Sequence, residues 1–173
     1  ISKTIFFENG HIEKYKYLIS TIPLKELLKK INKISSKNYS KSADKLLCTS
    51  VINFNLGLKK NFIGSNHWIY FPENSFPFYR IGFWHNISSM LAPKNNTSIY
   101  GETAFMQGTK TNKQIENLTY KSIEQAIQHL QIKEEDIITK KILNIEYAYV
   151  IYDAWREKNL EKLGNLPGKL ALA

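Results

Sequence analysis

The sequence predicts an α+β fold, a mostly antiparallel sheet with helices packed on one face. Three observations carry that expectation. Several strand-like runs follow one another without regular alternation with helices. Asn9-Gly10 and a proline-bounded turn join neighbouring runs at hairpin spacing. Helical periodicity is confined to about three segments. At 173 residues, 43% hydrophobic and 13% aromatic, the chain has enough apolar material for one ordinary domain with a sizeable core.

Taken in order, KTIFFENG opens with a strand that turns at Asn9-Gly10 into a second, which ends in the apolar run Tyr17 to Ile22. Pro23, tolerated in a first helical turn, opens a helix whose Leu24, Leu27, Leu28 and Ile31 recur at helical spacing, with Lys25, Lys29 and Lys30 on the wet side. INKISSKNYSKS reads as a polar linker, and KLLCTSVINFNLGL as a long strand crossing the core. HWIYF and FYRIGFW are two more strands joined by the turn PENSFP. SSMLAPKNN is a loop and SIYGETAF a further short strand. NKQIENLTYKSIEQAIQHLQI is the clearest helix, with Ile115, Leu118, Ser122, Ile123, Ala126, Ile127 and Leu130 on one stripe. DIITKKILNIEYAYV is a late strand and YDAWREKNLEKLG a closing helix.

Several function classes fall away. No run approaches the roughly 18 apolar residues of a membrane span, and the first residues lack the basic and apolar regions of a secretion signal, which predicts a soluble, cytoplasmic protein. The single cysteine, Cys48, lies in an apolar run and reads as a buried structural thiol. His11, His67, His85 and His129 have no metal-ligand spacing, so no metal is expected. The net charge of +9 comes from lysines spread along the chain without a basic stripe, so no nucleic acid partner is expected. Only Arg80 and Arg156 are arginines among 24 cations. A guanidinium presents a planar fork of donors suited to phosphate or carboxylate, which lysine cannot match.

The densest chemistry is in Trp68 to Arg80. A hairpin centred on Ser75 places Tyr70 opposite Arg80, Ile69 opposite Ile81, Trp68 opposite Gly82 and Phe71 opposite Tyr79. One face is then core, and the other carries an indole, a phenol and a guanidinium, with Gly82 leaving open space beside them. Periodicity leaves two readings open: a ligand wall for an anionic oxygen cluster, or a cation–aromatic pair on the surface.

The stretch HWIYFPENSFPFYRIGFWHNISSMLAP resembles the segment that eukaryotic-type UDP-galactopyranose mutases carry as Trp, a hydrophobic residue, Tyr-Phe-Pro-Glu, and six residues later Tyr-Arg. Among wider relatives of this kind are amine oxidases and protoporphyrinogen oxidases that use FAD. The resemblance implies the substrate domain of a flavoprotein, with Tyr70 and Arg80 holding the diphosphate of a UDP-sugar and Trp68 at a position where the family also keeps a tryptophan; with Gly82 on the same hairpin face, Trp68 would wall the pocket. AYVIYDAWR resembles the family's Gly-Tyr-Pro motif with its arginine seven residues on, which implies Tyr149 as a second diphosphate contact. Ala148 and Val150 replace the glycine and proline there, and Tyr147 and Tyr152 are rivals for the role. KYKYLISTIPLKELL resembles the point where such chains leave the flavin domain, placing Ser20, Thr21 and Pro23 near the cofactor.

No GxGxxG follows a strand, so the loop that would cradle the flavin's pyrophosphate is missing from this sequence. The start at Ile1 and the end at Ala173 are consistent with a fragment. The expectation is therefore FAD in the intact parent protein and none bound by this chain alone, with the flavin domain of its own chain as a partner. Residues 1–22 would join that domain, 23–146 would bind substrate, and 147–173 would return. Two other readings remain: an amine-oxidase-like oxidoreductase, favoured if Arg80 is buried against a carboxylate, and a non-enzymatic polyanion-binding module.

Overall fold

The computed structural model describes residues 3–32, 39–59 and 64–164. They fall into two units, residues 1–46 with 159–173 and residues 47–158. In the first unit, β1 (Thr4–Phe6) and β2 (Ile12–Lys14) pair antiparallel, Phe6 opposite Ile12. Gly10 takes a φ of 84° in the loop between them, the left-handed region that glycine enters without steric cost. Helix α1 (Leu24–Asn32) starts where Glu26 and Leu27 donate to the Pro23 carbonyl, and its Leu28 is fully buried. Helix α2 spans Ser40–Lys45 and buries Ala43.

The second unit is a five-stranded antiparallel sheet in the order β4-β5-β6-β3-β7. Its strands are β3 (Cys48–Leu58), β4 (Trp68–Tyr70), β5 (Arg80–Phe83), β6 (Thr97–Met106) and β7 (Ile137–Val150). Alternation decides which residues face where. Ile52, Phe54, Leu56 and Leu58 of β3 and Ile99 of β6 are buried toward α4 (Asn112–His129), together with Phe78, Ile81, Ile123 and Ala126. Burying an aromatic such as Phe54 or Phe78 contributes about 1.5–3 kcal/mol. Gly101 makes room for the Phe54 ring: a Cβ there would lie 2.0 Å from the ring carbon Cζ.

Helix α4 is fixed at both its start and its middle. Thr111 and Gln114 form a reciprocal capping box at its N-terminus. Deep in the interface the Thr103 and Ser122 hydroxyls hydrogen-bond at 2.8 Å, and Ser122 also donates to the Leu118 carbonyl. Two short helical segments flank the sheet, α3 (Trp84–Ile87) and a 3-10 turn at Ser89–Leu91. Helix α5 (Ala154–Gly164) begins at Asp153, whose carboxylate accepts the Arg156 backbone N–H at 2.7 Å.

Several expectations are corrected. The first hairpin has a five-residue connection, Phe7 to His11, instead of a two-residue turn, closed by Phe7 N–H on the His11 carbonyl. The run Tyr17 to Ile22 is not strand: the ladder ends where Tyr15 meets Lys3, and Tyr17 and Ile19 stand exposed with no described strand beside them. Part of the supposed linker is α2, and Trp84 begins a helical turn instead of ending a strand. The linker's first two residues, Ile31 and Asn32, close α1, and residues 33–38 lie outside the described residues. Cys48 is half-buried at the head of β3. Among the described residues no helix is long and apolar enough to cross a membrane.

Candidate functional site

The β4–β5 hairpin forms in the register that the sequence predicts: Trp68 opposite Gly82, Ile69 opposite Ile81, Tyr70 opposite Arg80. Phe71 donates to the Tyr79 carbonyl at 2.9 Å. Phe71, Phe76 and Phe78 pack edge-on or tilted beneath the turn and anchor it to the core. The face away from α4 therefore carries Trp68, Tyr70 and Arg80. Trp68 and Tyr70 are 47% and 57% exposed, which leaves them open to a ligand.

Arg80 is the centre of this face. Its Nε donates to Glu102 Oε2 at 2.7 Å, its Nη2 also faces that oxygen, and its Nη1 donates to the Tyr70 hydroxyl at 3.3 Å. Because Tyr70 accepts from Arg80, it keeps its own O–H to donate elsewhere. Tyr79 donates to the same Glu102 oxygen at 2.6 Å. The guanidinium also lies within 6 Å of the Tyr70, Tyr79 and Tyr100 rings, close enough for cation–π attraction.

Burial alone would lower the Arg80 pKa, but the hydrogen bond to Tyr70 and the Glu102 carboxylate outweigh it and raise it, so the guanidinium stays charged. Tyr79 is pushed well above the ordinary tyrosine range by burial and by its bond to Glu102. Tyr100 is raised as well, chiefly by burial.

Gly82 does not leave the open space expected of it. The Tyr100 ring covers it, and a Cβ at residue 82 would lie 2.1 Å from that ring. Tyr100 is held there by tilted stacking on Trp84, with centroids 4.4 Å apart. Trp84 Nε1 donates to Asn55 Oδ1 at 3.2 Å, and Asn55 Nδ2 donates to Asn53 Oδ1 at 2.5 Å.

Tyr149 is on the opposite edge strand, paired with Thr49 and 54% exposed. Tyr149 stands directly opposite Thr49, on the same face of β3 as Asn53, and makes no hydrogen bond with Arg80 among the described residues. Tyr152 is 81% exposed with the Arg156 guanidinium 4.7 Å from its ring centre. Ser20, Thr21 and Pro23 belong to the other unit, in the approach to α1, and Pro23 acts there as a helix-opening carbonyl. Among the described residues no group of three or more His, Cys, Asp or Glu could hold a metal. A recess of about 420 Å³ opens beside the first turn of α4, lined by Ser50, Phe105, Lys110 and Asn144 among others, and takes in none of Tyr70, Arg80 or Tyr149.

Sequence reasoning does not bring Glu102 to the site, and that residue sits opposite Arg80 in the middle of β6. It also missed Tyr79, Tyr100 and the amide pair. The period-2 alternation of SIYGETAF puts Tyr100 and Glu102 on one face, but the register between β5 and β6 is what brings them to Arg80.

A reduced UDP-galactopyranose mutase shares this architecture, with a TM-score of 0.76 and 27% identity over 93% of this chain. The chain resembles part of that enzyme. An assigned protoporphyrinogen oxidase from Exiguobacterium sp. 255-15 matches with TM-score 0.69 and 9% identity over 98% of the chain. An oxidoreductase from Methanosarcina mazei matches with TM-score 0.59 and 14% identity over 84%. The last two share the fold alone. This chain spans 35%, 38% and 37% of the three proteins respectively. No protein-family model and no curated protein matches the sequence.

Proposed function

We propose that this chain is the substrate-binding portion of a flavin-dependent enzyme that interconverts the pyranose and furanose forms of a UDP-sugar. The observation that carries the reading is the Tyr70–Arg80 pair: a fixed, charged guanidinium and a free phenolic O–H, side by side on an open sheet face. Those are donors for the oxygens of a diphosphate, and a charge-assisted bond from a guanidinium is among the stronger contacts such a ligand can make. Tyr149, across the same face, is a further donor for it.

The residues of this chain do not fit the flavin's own pyrophosphate. The main sheet is antiparallel throughout its described pairs, and no glycine-rich strand-to-helix loop occurs in the sequence. FAD would be held elsewhere in the intact protein, and the covalent chemistry at the anomeric carbon belongs to it. What the residues here do is bind the leaving diphosphate and orient the sugar.

A second reading, an oxidoreductase acting on an amine or apolar substrate, has one observation in its favour: Arg80 is paired with the Glu102 carboxylate, which offsets its charge. The mutase reading is preferred because Nη1 takes no part in the Glu102 pair and stands with the exposed Tyr70 hydroxyl. The test is the affinity of the intact protein for UDP and UDP-galactose, with reduced flavin, for wild type and Arg80→Ala. The expected result is a loss of at least about tenfold, as for a charged hydrogen bond worth about 1.5–3 kcal/mol. Unchanged binding would overturn the assignment in favour of the second reading.

A further inference from the structure

Four residues form one continuous cross-strand row on the open face: Tyr70 opposite Arg80, Arg80 opposite Glu102, and Glu102 opposite Asn53. The first two carry the diphosphate reading. The other two have free valences whose directions are fixed by their neighbours.

An indole N–H can only donate, so the Trp84 bond makes the Asn55 atom it meets an oxygen. The Asn55 nitrogen must then be the group that meets Asn53, and the Asn53 atom it meets is an oxygen as well. The Asn53 amide nitrogen is thereby turned to the far side of its side chain, and its N–H groups have no partner among the described residues. Glu102 is similarly one-sided. Its Oε2 takes Tyr79 and both Arg80 contacts, while its Oε1 accepts no bond among the described residues.

Directly opposed side chains on one face have Cβ atoms about 4.5–5.5 Å apart. An amide donor thus stands beside a carboxylate oxygen, neither of them engaged by another described residue. That combination rejects a phosphate oxygen, which can only accept and would be repelled by the carboxylate. It suits neighbouring hydroxyl groups, each of which donates one bond and accepts another. The row also has a workable length: Arg80 and Asn53 are two strands apart, about 10 Å, close to the span from a diphosphate to the far hydroxyls of an attached hexose.

We propose that Asn53 Nδ2 and Glu102 Oε1 read a pair of hydroxyl groups on the sugar of a nucleotide-sugar ligand. The inference rests on the diphosphate reading of Tyr70 and Arg80 and extends it along the row. Glu102 then has two duties, orienting Arg80 through one oxygen and binding the sugar through the other. Asn55 and Trp84 are positioning residues that set the Asn53 amide.

The experiment compares UDP with UDP-galactose as ligands of the intact protein, for wild type, Asn53→Ala and Asn53→Asp, with circular dichroism to establish folding of each variant. The ratio of UDP-galactose to UDP affinity is expected to fall about tenfold in Asn53→Ala, the loss of one hydrogen bond to a ligand, while UDP affinity itself stays within about twofold. Asn53→Asp exchanges the donor for a second carboxylate beside Glu102 and is expected to lower the ratio further. If wild type binds neither ligand, the diphosphate reading falls and this inference with it. If wild type binds UDP and both folded variants keep the wild-type ratio, this inference alone is overturned.

Discussion

Removing the Glu102 carboxylate is the most informative perturbation of stability. One of its oxygens accepts from Tyr79 at 2.6 Å and from Arg80 Nε at 2.7 Å, and the Arg80 and Glu102 side chains are only 20% and 13% exposed. Hydrogen bonds to a charged group contribute about 1.5–3 kcal/mol. Breaking a fully buried ion pair by deleting one partner costs about 3–5 kcal/mol, because the other charge is left uncompensated. Residual exposure and the three tyrosine rings around Arg80 reduce that figure, so Glu102→Ala is expected to destabilise the fold by about 2–4 kcal/mol. The double variant Arg80→Ala/Glu102→Ala should cost no more than the worse single, with a coupling of about 1–3 kcal/mol. Urea unfolding of the four proteins in the cycle measures this, provided each unfolds in two states. Singles that cost less than about 0.5 kcal/mol, or that simply add, would refute the claim that this network organises the face.

Other outcomes follow from the same geometry. Tyr79 and Tyr100 are both raised in the folded protein, so the stability they carry is fully present below the unfolded tyrosine pKa near 10 and is lost as pH rises beyond it. Alkaline unfolding monitored by tyrosinate absorbance should therefore become shallower in Tyr79→Phe, and an unchanged slope would contradict the shift. Gly82→Ala would drive a Cβ into the Tyr100 ring and should cost about 1–3 kcal/mol with loss of near-ultraviolet circular dichroism from the Trp84–Tyr100 stack. Thr111→Ala, which removes the capping box of α4, should cost about 1 kcal/mol in the same unfolding assay.

The hairpin was legible because its register is set locally. Pro72 and Pro77 bracket a polar turn, and the apolar residues to either side fix which face is buried, so Tyr70 meets Arg80 without any help from the rest of the fold. Glu102 was not legible in the same way. Between Phe83 and Thr97 the chain passes through α3, a 3-10 turn and loop, and no local rule sets the register across such a connection. Gly82 shows the same limit: the space beside a glycine is visible in a sequence, but the ring that fills it comes from another strand. Helix α2 was missed because SKSADK offers a single buried apolar residue, Ala43, and so has no periodic stripe. Tyr17 to Ile22 was misread for the opposite reason, since an apolar run suggests a strand whether or not a partner strand lies beside it.

The central claim is that this sheet face binds a nucleotide through its phosphates. Calorimetric titration of the intact protein with UDP and with uridine isolates that term, because the two ligands differ only in the diphosphate. Wild type should bind UDP more tightly than uridine, and Arg80→Ala should erase most of that preference while leaving uridine affinity unchanged. A preference for UDP that survives the loss of Arg80 undiminished would contradict the account.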